Sequence, residues 1–205
     1  MTIPIGNKAY CLPLATAQMN IPKIFQCYST GAPFTNCVQC NKSLLEDGVQ
    51  YMVEKAFKRY PDYQAEDVIF EYAMCMDCGM KMRNELSAES LANIENYFAQ
   101  NVDFERRQEL LMAKQDLNTE DWLKHCLVKG TPTEALNEYQ IFGHFDGTQM
   151  VYSVFPYMIG GEALDELGAL LSDKTLDELD DFMGNNFGLP PELKELIPTR
   201  RLVLI

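Results

Sequence analysis

Four of the seven cysteines in this chain form two Cys-x-x-Cys pairs, Cys37 with Cys40 and Cys75 with Cys78. Two residues between cysteines allow a tight turn to aim both sulfurs at one ion, and two such turns supply the four thiolates that zinc accepts in a tetrahedron. Free cysteine often packs as a small apolar residue, but two matched pairs at this spacing are typical of metal binding. The sequence therefore predicts one zinc ion per chain, bound by all four cysteines.

Other metals use similar ligands. Iron in a rubredoxin-like site takes the same four sulfurs, and the sequence does not separate it from zinc. Copper(I) accepts thioether with thiolate, and four methionines surround the second pair: Met74, Met76, Met80 and Met82. The copper-carrier pattern, however, places Met two positions before the first cysteine, where this chain has Ala73. Zinc is favoured because the second pair leads into a predicted helix.

The predicted zinc is structural rather than catalytic. Catalytic zinc keeps three protein ligands and an open position for water, whereas four cysteines close the coordination sphere. The chain has two histidines, His125 and His144, so a three-histidine site is excluded. Asn41 and Gly79 follow the two pairs, and both residue types tolerate the left-handed conformation that often closes such turns.

Three further residues are candidates for chemistry. His144 lies on the more polar face of a predicted hairpin and could act as an acid or base in a pocket between the two halves of the chain. Cys126 follows His125 in a predicted helix, where neighbours point about 100° apart, so a nucleophile–base pair is disfavoured. Cys27 precedes the first pair and is a candidate spare ligand.

The elements around the first half are predicted from periodicity. Residues 49–57 and 67–74 are rich in β-branched and aromatic residues and form two strands joined as a hairpin. Helical spacing follows behind a cap at Ser87, and a second helical stretch covers residues 104–114. A third helix is predicted to begin after Asn118 and to end at Gly130.

The C-terminal half begins with a second hairpin signal. Asp146 and Gly147 separate residues 139–145 from residues 148–157, and Asp-Gly favours a type I′ turn. Two short helices are predicted next, with Thr175 and Glu178 as a capping box on the second and Gly188 as its stop. The prediction is therefore an α+β fold: a four-cysteine module of hairpin plus helix, further helices, and a C-terminal hairpin with short helices.

A cysteine pair, a hairpin, and a second pair that leads into a helix resemble the treble-clef class of zinc finger over residues 36–100. That resemblance implies a structural zinc but no particular function. The predicted organisation is an irregular arm (1–36), a zinc-binding hairpin with helices (37–130), and a C-terminal hairpin with acidic helices (131–205). No internal repeat is apparent in the sequence.

The net charge of −13 opposes sequence-independent binding to nucleic acid or to an anionic membrane. Residues 162–195 hold ten Asp or Glu against two Lys, which is either a solvated helical face or a surface that attracts a basic partner. No apolar run is long enough to span a bilayer, no signal peptide is recognised, and a cytoplasmic location is expected. The leading hypothesis is a zinc-stabilised protein that binds another protein; the alternatives are an enzyme that uses His144 and a zinc finger that binds nucleic acid.

Overall fold

Two runs rich in β-branched and aromatic residues fold back on each other as predicted. A computed structural model describes residues 21–113 and 118–187 of the chain. The strands of the first hairpin are β1 (Gln50–Tyr60) and β2 (Ala65–Cys75), joined by a short 3₁₀ turn at Pro61–Tyr63. The expected N-terminal arm lies partly outside the described residues, and its described part contains a 3₁₀ turn at Lys23–Phe25.

Helices and short strands complete the α+β architecture. The helices of the first half are α1 (Met76–Glu85), α2 (Ala88–Asn101), α3 (Phe104–Met112) and α4 (Thr119–Trp122). The second half contains β3 (Glu138–Asp146), β4 (Gln149–Met150), β5 (Tyr157–Gly160), α5 (Gly161–Ala169) and α6 (Asp173–Phe187), after a 3₁₀ turn at Thr133–Ala135. Within the described residues, no helix combines the length and the apolar composition needed to cross a bilayer.

The five strands of the described residues form one antiparallel sheet. Its order is β2-β1-β3-β4, and β5 also pairs with β3. The central pair is β1 with β3, in a ladder that runs from Gln50 opposite Asp146 to Lys58 opposite Glu138. The two halves of the chain therefore meet along the middle of the sheet.

Both faces of the sheet are covered. On one face Phe25 packs against β3, where a Cβ at Gly143 would lie 2.8 Å from the Phe25 ring, so a side chain there would displace it. On the other face the ring of Tyr72 in β2 contacts Phe182 of α6, with centroids 5.4 Å apart. Side chains from both faces and from the helices form one cluster of buried apolar residues.

The predicted third helix is wrong beyond its first turn. The helix begins after Asn118 as predicted, and the Asn118 side chain caps it by accepting a hydrogen bond from the backbone N–H of Glu120, but α4 ends at Trp122. Residues 126–131 instead form a tight turn, and His125 bridges to Pro132. Gly130 has a φ of +67° and serves this turn rather than a helix end.

The second hairpin is shorter than predicted. Asp146 pairs with Gln149, so the loop residues are Gly147 and Thr148, and of these two Gly147 has the positive φ. A type I′ turn needs two positive φ angles, so that prediction is wrong. The returning chain leaves the sheet after Met150 and rejoins it as β5 at Tyr157.

Helix caps are partly as predicted. The Ser87 side chain accepts from the N–H of Ser90 and caps α2, which confirms the prediction. The helix α6 begins at Asp173, where the Ser172 side chain accepts from the N–H of Thr175, so Thr175 is not the cap. The predicted stop at Gly188 lies outside the described residues.

Candidate metal centre

The first cysteine pair lies in a tight turn of residues 37–42. The N–H of Cys37 donates to the carbonyl of Lys42 at 2.9 Å, and the N–H of Asn41 donates back to the carbonyl of Cys37 at 2.9 Å. Asn41 has a φ of +60°, which confirms the left-handed conformation expected after the pair. The turn brings Cys37 and Cys40 to the same side of the chain.

The second pair lies where β2 becomes α1. Cys75 is both the last residue of the strand and the N-cap of the helix, and Cys78 lies in the first helical turn. Gly79 is part of this helix, so its predicted left-handed conformation is wrong. The unpaired N–H groups at a helix start favour negative charge, which suits thiolates at this position.

Two hydrogen bonds donated by backbone N–H groups attach the 37–42 turn to this junction. The N–H of Val38 donates to the carbonyl of Ala73 at 2.9 Å, and the N–H of Cys75 donates to Cys37 Sγ at 3.4 Å. The two cysteine pairs are therefore held together by the backbone, although they are far apart in sequence.

All four predicted ligands are brought together. The Sγ atoms of Cys37, Cys40, Cys75 and Cys78 lie within 4.8 Å of one another, and the Cys40 and Cys75 sulfurs are 3.8 Å apart. Sulfurs at about 2.3 Å from one zinc ion in a tetrahedron are about 3.8 Å apart, so the observed spacing fits that geometry. Cys40 is exposed and the other three cysteines are buried.

The cysteine environments differ. Burial raises the pKa of the Cys37 thiol, but N–H bonds from Cys75, Cys40 and Gln39 outweigh it and lower the pKa to about 7. Burial is the main cause that raises the pKa values of Cys75 and Cys78. A bound divalent cation would displace these protons, because the thiolate is the ligand.

The remaining chemical candidates lie outside this cluster. Cys27 is not part of the sulfur cluster, and its Sγ lies 3.2 Å from the hydroxyl of Ser29, so the structure does not support it as a spare ligand. His125 and Cys126 lie at and after an isolated β-bridge rather than in a helix. The Cys126 sulfur is buried and accepts N–H bonds from Lys129 at 3.4 Å and from Gly160 at 3.3 Å.

His144 is half-buried in β3, opposite Met52. Its ring meets Phe155 edge-on at 5.9 Å, and its Nε2 atom is buried without a hydrogen-bond partner among the described residues. Burial lowers the pKa of His144, against the opposing charge of Asp146. The hairpin face beside it is shorter than predicted, since β4 ends at Met150.

A groove beside the cysteine cluster was missed from the sequence. It has a volume of about 280 Å³ and lies between α1 and α6. Its lining includes Cys78, the apolar side chains of Met82 and Phe182, and the carboxylates of Glu178 and Asp181. The helical periodicity of residues 173–187 predicted α6 but gave no indication of where that helix packs.

Comparison with protein-family models, with curated proteins and with solved structures gives no significant match.

Proposed function

We propose that residues 36–100 form a treble-clef-type module that binds one structural zinc ion through Cys37, Cys40, Cys75 and Cys78. The observation that carries this proposal is the convergence of four sulfurs within 4.8 Å, two from a tight turn and two from a helix start. The backbone N–H bond to Cys37 Sγ supports it further, since such donors favour the thiolate.

The role of the zinc is to hold the turn against the start of α1. Four thiolates fill a tetrahedral coordination sphere and leave no position for a reacting water. Metal binding at such a site contributes directly to folding, because the unfolded chain has no preformed site. A compartment that keeps thiols reduced, such as the cytoplasm, suits this ligand set.

We expect the full chain, purified without chelator, to contain one zinc ion per molecule by elemental analysis. Cys75→Ser should abolish stoichiometric zinc and lower the free energy of unfolding by several kcal/mol, since a buried ligand position is lost. Urea denaturation followed by circular dichroism measures this second effect. Cys27→Ser is the matched control and should keep the zinc, because Cys27 lies outside the cluster.

Two results would contradict this proposal in different ways. A wild-type protein with no bound metal would remove the site altogether. Stoichiometric iron with the visible absorbance of a ferric tetrathiolate would keep the site but replace zinc as its metal.

We further propose that the module supports protein binding rather than catalysis. The groove between α1 and α6 is lined by the apolar side chains of Met82 and Phe182 and by charged groups in which the carboxylates of Glu85, Glu178 and Asp181 outnumber the ammonium of Lys81. An apolar anchor flanked by basic side chains would complement both features. The net charge of −13 would also accelerate association with a basic partner.

A further inference from the structure

The turn of residues 126–131 has the same backbone hydrogen bonds as the metal-binding turn of residues 37–42. The N–H of Cys126 donates to the carbonyl of Thr131 at 2.8 Å, and the N–H of Gly130 donates back to the carbonyl of Cys126 at 2.8 Å. Gly130 has a φ of +67°, and Asn41 in the equivalent place has +60°. A cysteine therefore begins both turns, and a left-handed residue closes both.

Each turn is attached to its sheet in the same way. The N–H of Leu127 donates to the carbonyl of Met158 at 2.7 Å, as the N–H of Val38 donates to the carbonyl of Ala73 at 2.9 Å. In both halves the donor is the residue after the first cysteine, and the acceptor lies two residues before the end of a strand. The attachment is thus repeated at the level of single hydrogen bonds.

In both halves the sulfur of the first cysteine accepts a hydrogen bond from the backbone N–H at the junction of strand and helix. The N–H of Gly160 donates to Cys126 Sγ at 3.3 Å, and the N–H of Cys75 donates to Cys37 Sγ at 3.4 Å. Gly160 ends β5 and caps α5, as Cys75 ends β2 and caps α1. The whole turn–strand–helix junction is therefore present twice.

The central strands show that the two copies are related by a two-fold rotation. Tyr51 stacks on Phe145 with ring centroids 5.3 Å apart, and Phe57 stacks on Tyr139 at 4.9 Å. Superposing Tyr51 on Tyr139 and Phe57 on Phe145 places each of these two stacked pairs on the other. An antiparallel pair of equivalent strands has such an axis through its centre.

The helix starts meet across the same axis. The N–H of Ser87 donates to Thr175 Oγ1 at 3.0 Å, and the N–H of Ser172 donates to Ser90 Oγ at 2.9 Å. The hydroxyls of Ser87 and Ser172 lie 2.8 Å apart. One offset of 85 positions relates residues 75 to 160, 87 to 172 and 90 to 175.

We infer that residues 126–187 are a second copy of the metal-binding unit of residues 37–101. In this copy one of the four ligand positions holds a cysteine and the other three hold other residues. Cys126 occupies the position of Cys37. The other ligand positions are occupied by Lys129 for Cys40, by Gly160 for Cys75 and by Ala163 for Cys78. This inference rests on the proposed metal binding in the first half.

In the second copy, apolar packing and polar contacts occupy the place that the four sulfurs take in the first copy. Ala163 and Leu167 have no exposed surface at this junction, and Cys126 is 3% exposed. On the same helix, the carboxylate of Glu166 accepts a hydrogen bond from the Tyr97 hydroxyl at 2.6 Å and pairs with the ammonium of Lys129. The same backbone junction is thus held without sulfur ligands, which supports a structural role for the zinc in the first copy.

Restoring the missing ligands in the full chain tests this equivalence. We expect Lys129→Cys with Gly160→Cys and Ala163→Cys to raise cobalt(II) binding from one to two ions per chain. The absorbance of tetrahedral cobalt–thiolate should double in the same titration, because the two sites have the same ligand set. Circular dichroism reports whether the variant is folded.

A second variant avoids the tightest substitution. A Cβ at Gly160 would lie 2.9 Å from both methyl carbons of Leu136, so that side chain must move. Lys129→Cys with Ala163→Cys leaves Gly160 in place and supplies three thiolates together with Cys126. We expect this variant to bind a second cobalt ion more weakly than the first.

The controls isolate the predicted ligands. The triple variant with Cys126→Ser added should lose tight binding of the second cobalt ion. The variant that carries serine instead of cysteine at positions 129, 160 and 163 should bind one cobalt ion per chain. If the triple variant does not fold, the double variant decides. A folded variant that binds one cobalt ion per chain, when the wild type also binds one, overturns the equivalence of the two copies; a wild type that binds none refutes the proposed function instead.

Discussion

A buried carboxyl group lies at the centre of the sheet, where the two copies meet. Glu54 is 2% exposed and stands opposite Phe142 in the ladder of β1 and β3. The Tyr72 hydroxyl donates to its Oε2 atom at 2.5 Å, and its Oε1 atom has no partner among the described residues. Burial raises the pKa of Glu54 well above its ordinary value, more than the Tyr72 hydrogen bond lowers it. Glu54 therefore remains protonated well above the pH at which an exposed Glu ionises.

This burial makes stability depend on pH. Between the unfolded and folded pKa values of Glu54 the folded protein holds one more proton than the unfolded chain, so the stability from this group is complete below about pH 4 and is lost as the pH rises. Glu54→Gln removes the titration. We expect the free energy of unfolding of the variant, relative to wild type, to increase above about pH 4 by up to about 1.4 kcal/mol per pH unit. Urea denaturation across pH 4–8 measures this slope.

The slope, rather than the offset between the two proteins, is the diagnostic quantity. Gln at position 54 also changes the contact with Tyr72, which shifts stability by a constant amount at every pH. Glu109→Gln on the exposed surface of α3 is the matched control and should leave the pH dependence of wild type unchanged. Parallel curves for wild type and Glu54→Gln would show that Glu54 ionises alike in the folded and unfolded chains.

At the scale of elements, local signals predicted the metal-binding half well. Two cysteine pairs at fixed spacing indicated the cluster, runs rich in β-branched and aromatic residues indicated the hairpin, and Ser87 indicated the start of α2. Each of these signals acts within a few residues, so it is visible in one sequence. The position of α6 beside the cysteines depends on side-chain packing such as Tyr72 against Phe182, which no local pattern records.

The second half was predicted less well because long-range hydrogen bonds override local propensity there. The helix predicted through residues 123–130 is replaced by a turn whose Leu127 N–H donates to Met158, a partner 31 positions away. The repeat is hidden for a related reason. Aligned by the shared geometry, the copies keep Leu86 as Leu171 and Ser87 as Ser172 but share no ligand beyond the first cysteine, and their hairpins differ in length.

The groove between α1 and α6 gives a prediction about binding. A photo-crosslinking amino acid at Asn185, which lies exposed on the groove, should capture a protein partner in cells. Glu178→Lys with Asp181→Lys should reduce this crosslink at least tenfold, because the groove would then repel basic side chains. Quantitative mass spectrometry of the crosslinked species provides the measurement.

The matched control reverses two charges elsewhere. Glu105→Lys with Glu109→Lys changes the net charge equally but lies on the exposed surface of α3, which does not line the groove. This variant should retain the crosslinked partner. Equal loss in both variants would indicate a response to net charge alone, and no crosslink at Asn185 would argue against the groove as the binding surface.

At the scale of the whole molecule, the two copies share the centre of one sheet. The β1–β3 ladder contains nine paired positions and joins a strand from each copy. The strand β1 lies between β2 and β3 in the sheet. Unfolding of the metal-binding copy would therefore leave the edge of β3 that faces β1 without its hydrogen-bonding partner. Loss of zinc should therefore destabilise both copies together.

The single tryptophan of the chain makes this coupling measurable. Trp122 is buried and lies 4.6 Å from the Arg107 guanidinium, which donates to the carbonyl of Pro156 in the second half. Its fluorescence therefore reports on the packing of α3 and α4 against the second copy, through Arg107, whereas far-UV circular dichroism reports on all helices and strands. We expect chelation of the zinc to lower the urea midpoints of both signals by the same amount, because cooperative unfolding gives coincident transitions for different probes. If chelation instead shifts only part of the dichroism change and leaves the Trp122 midpoint in place, the copies unfold separately and the shared ladder does not couple them.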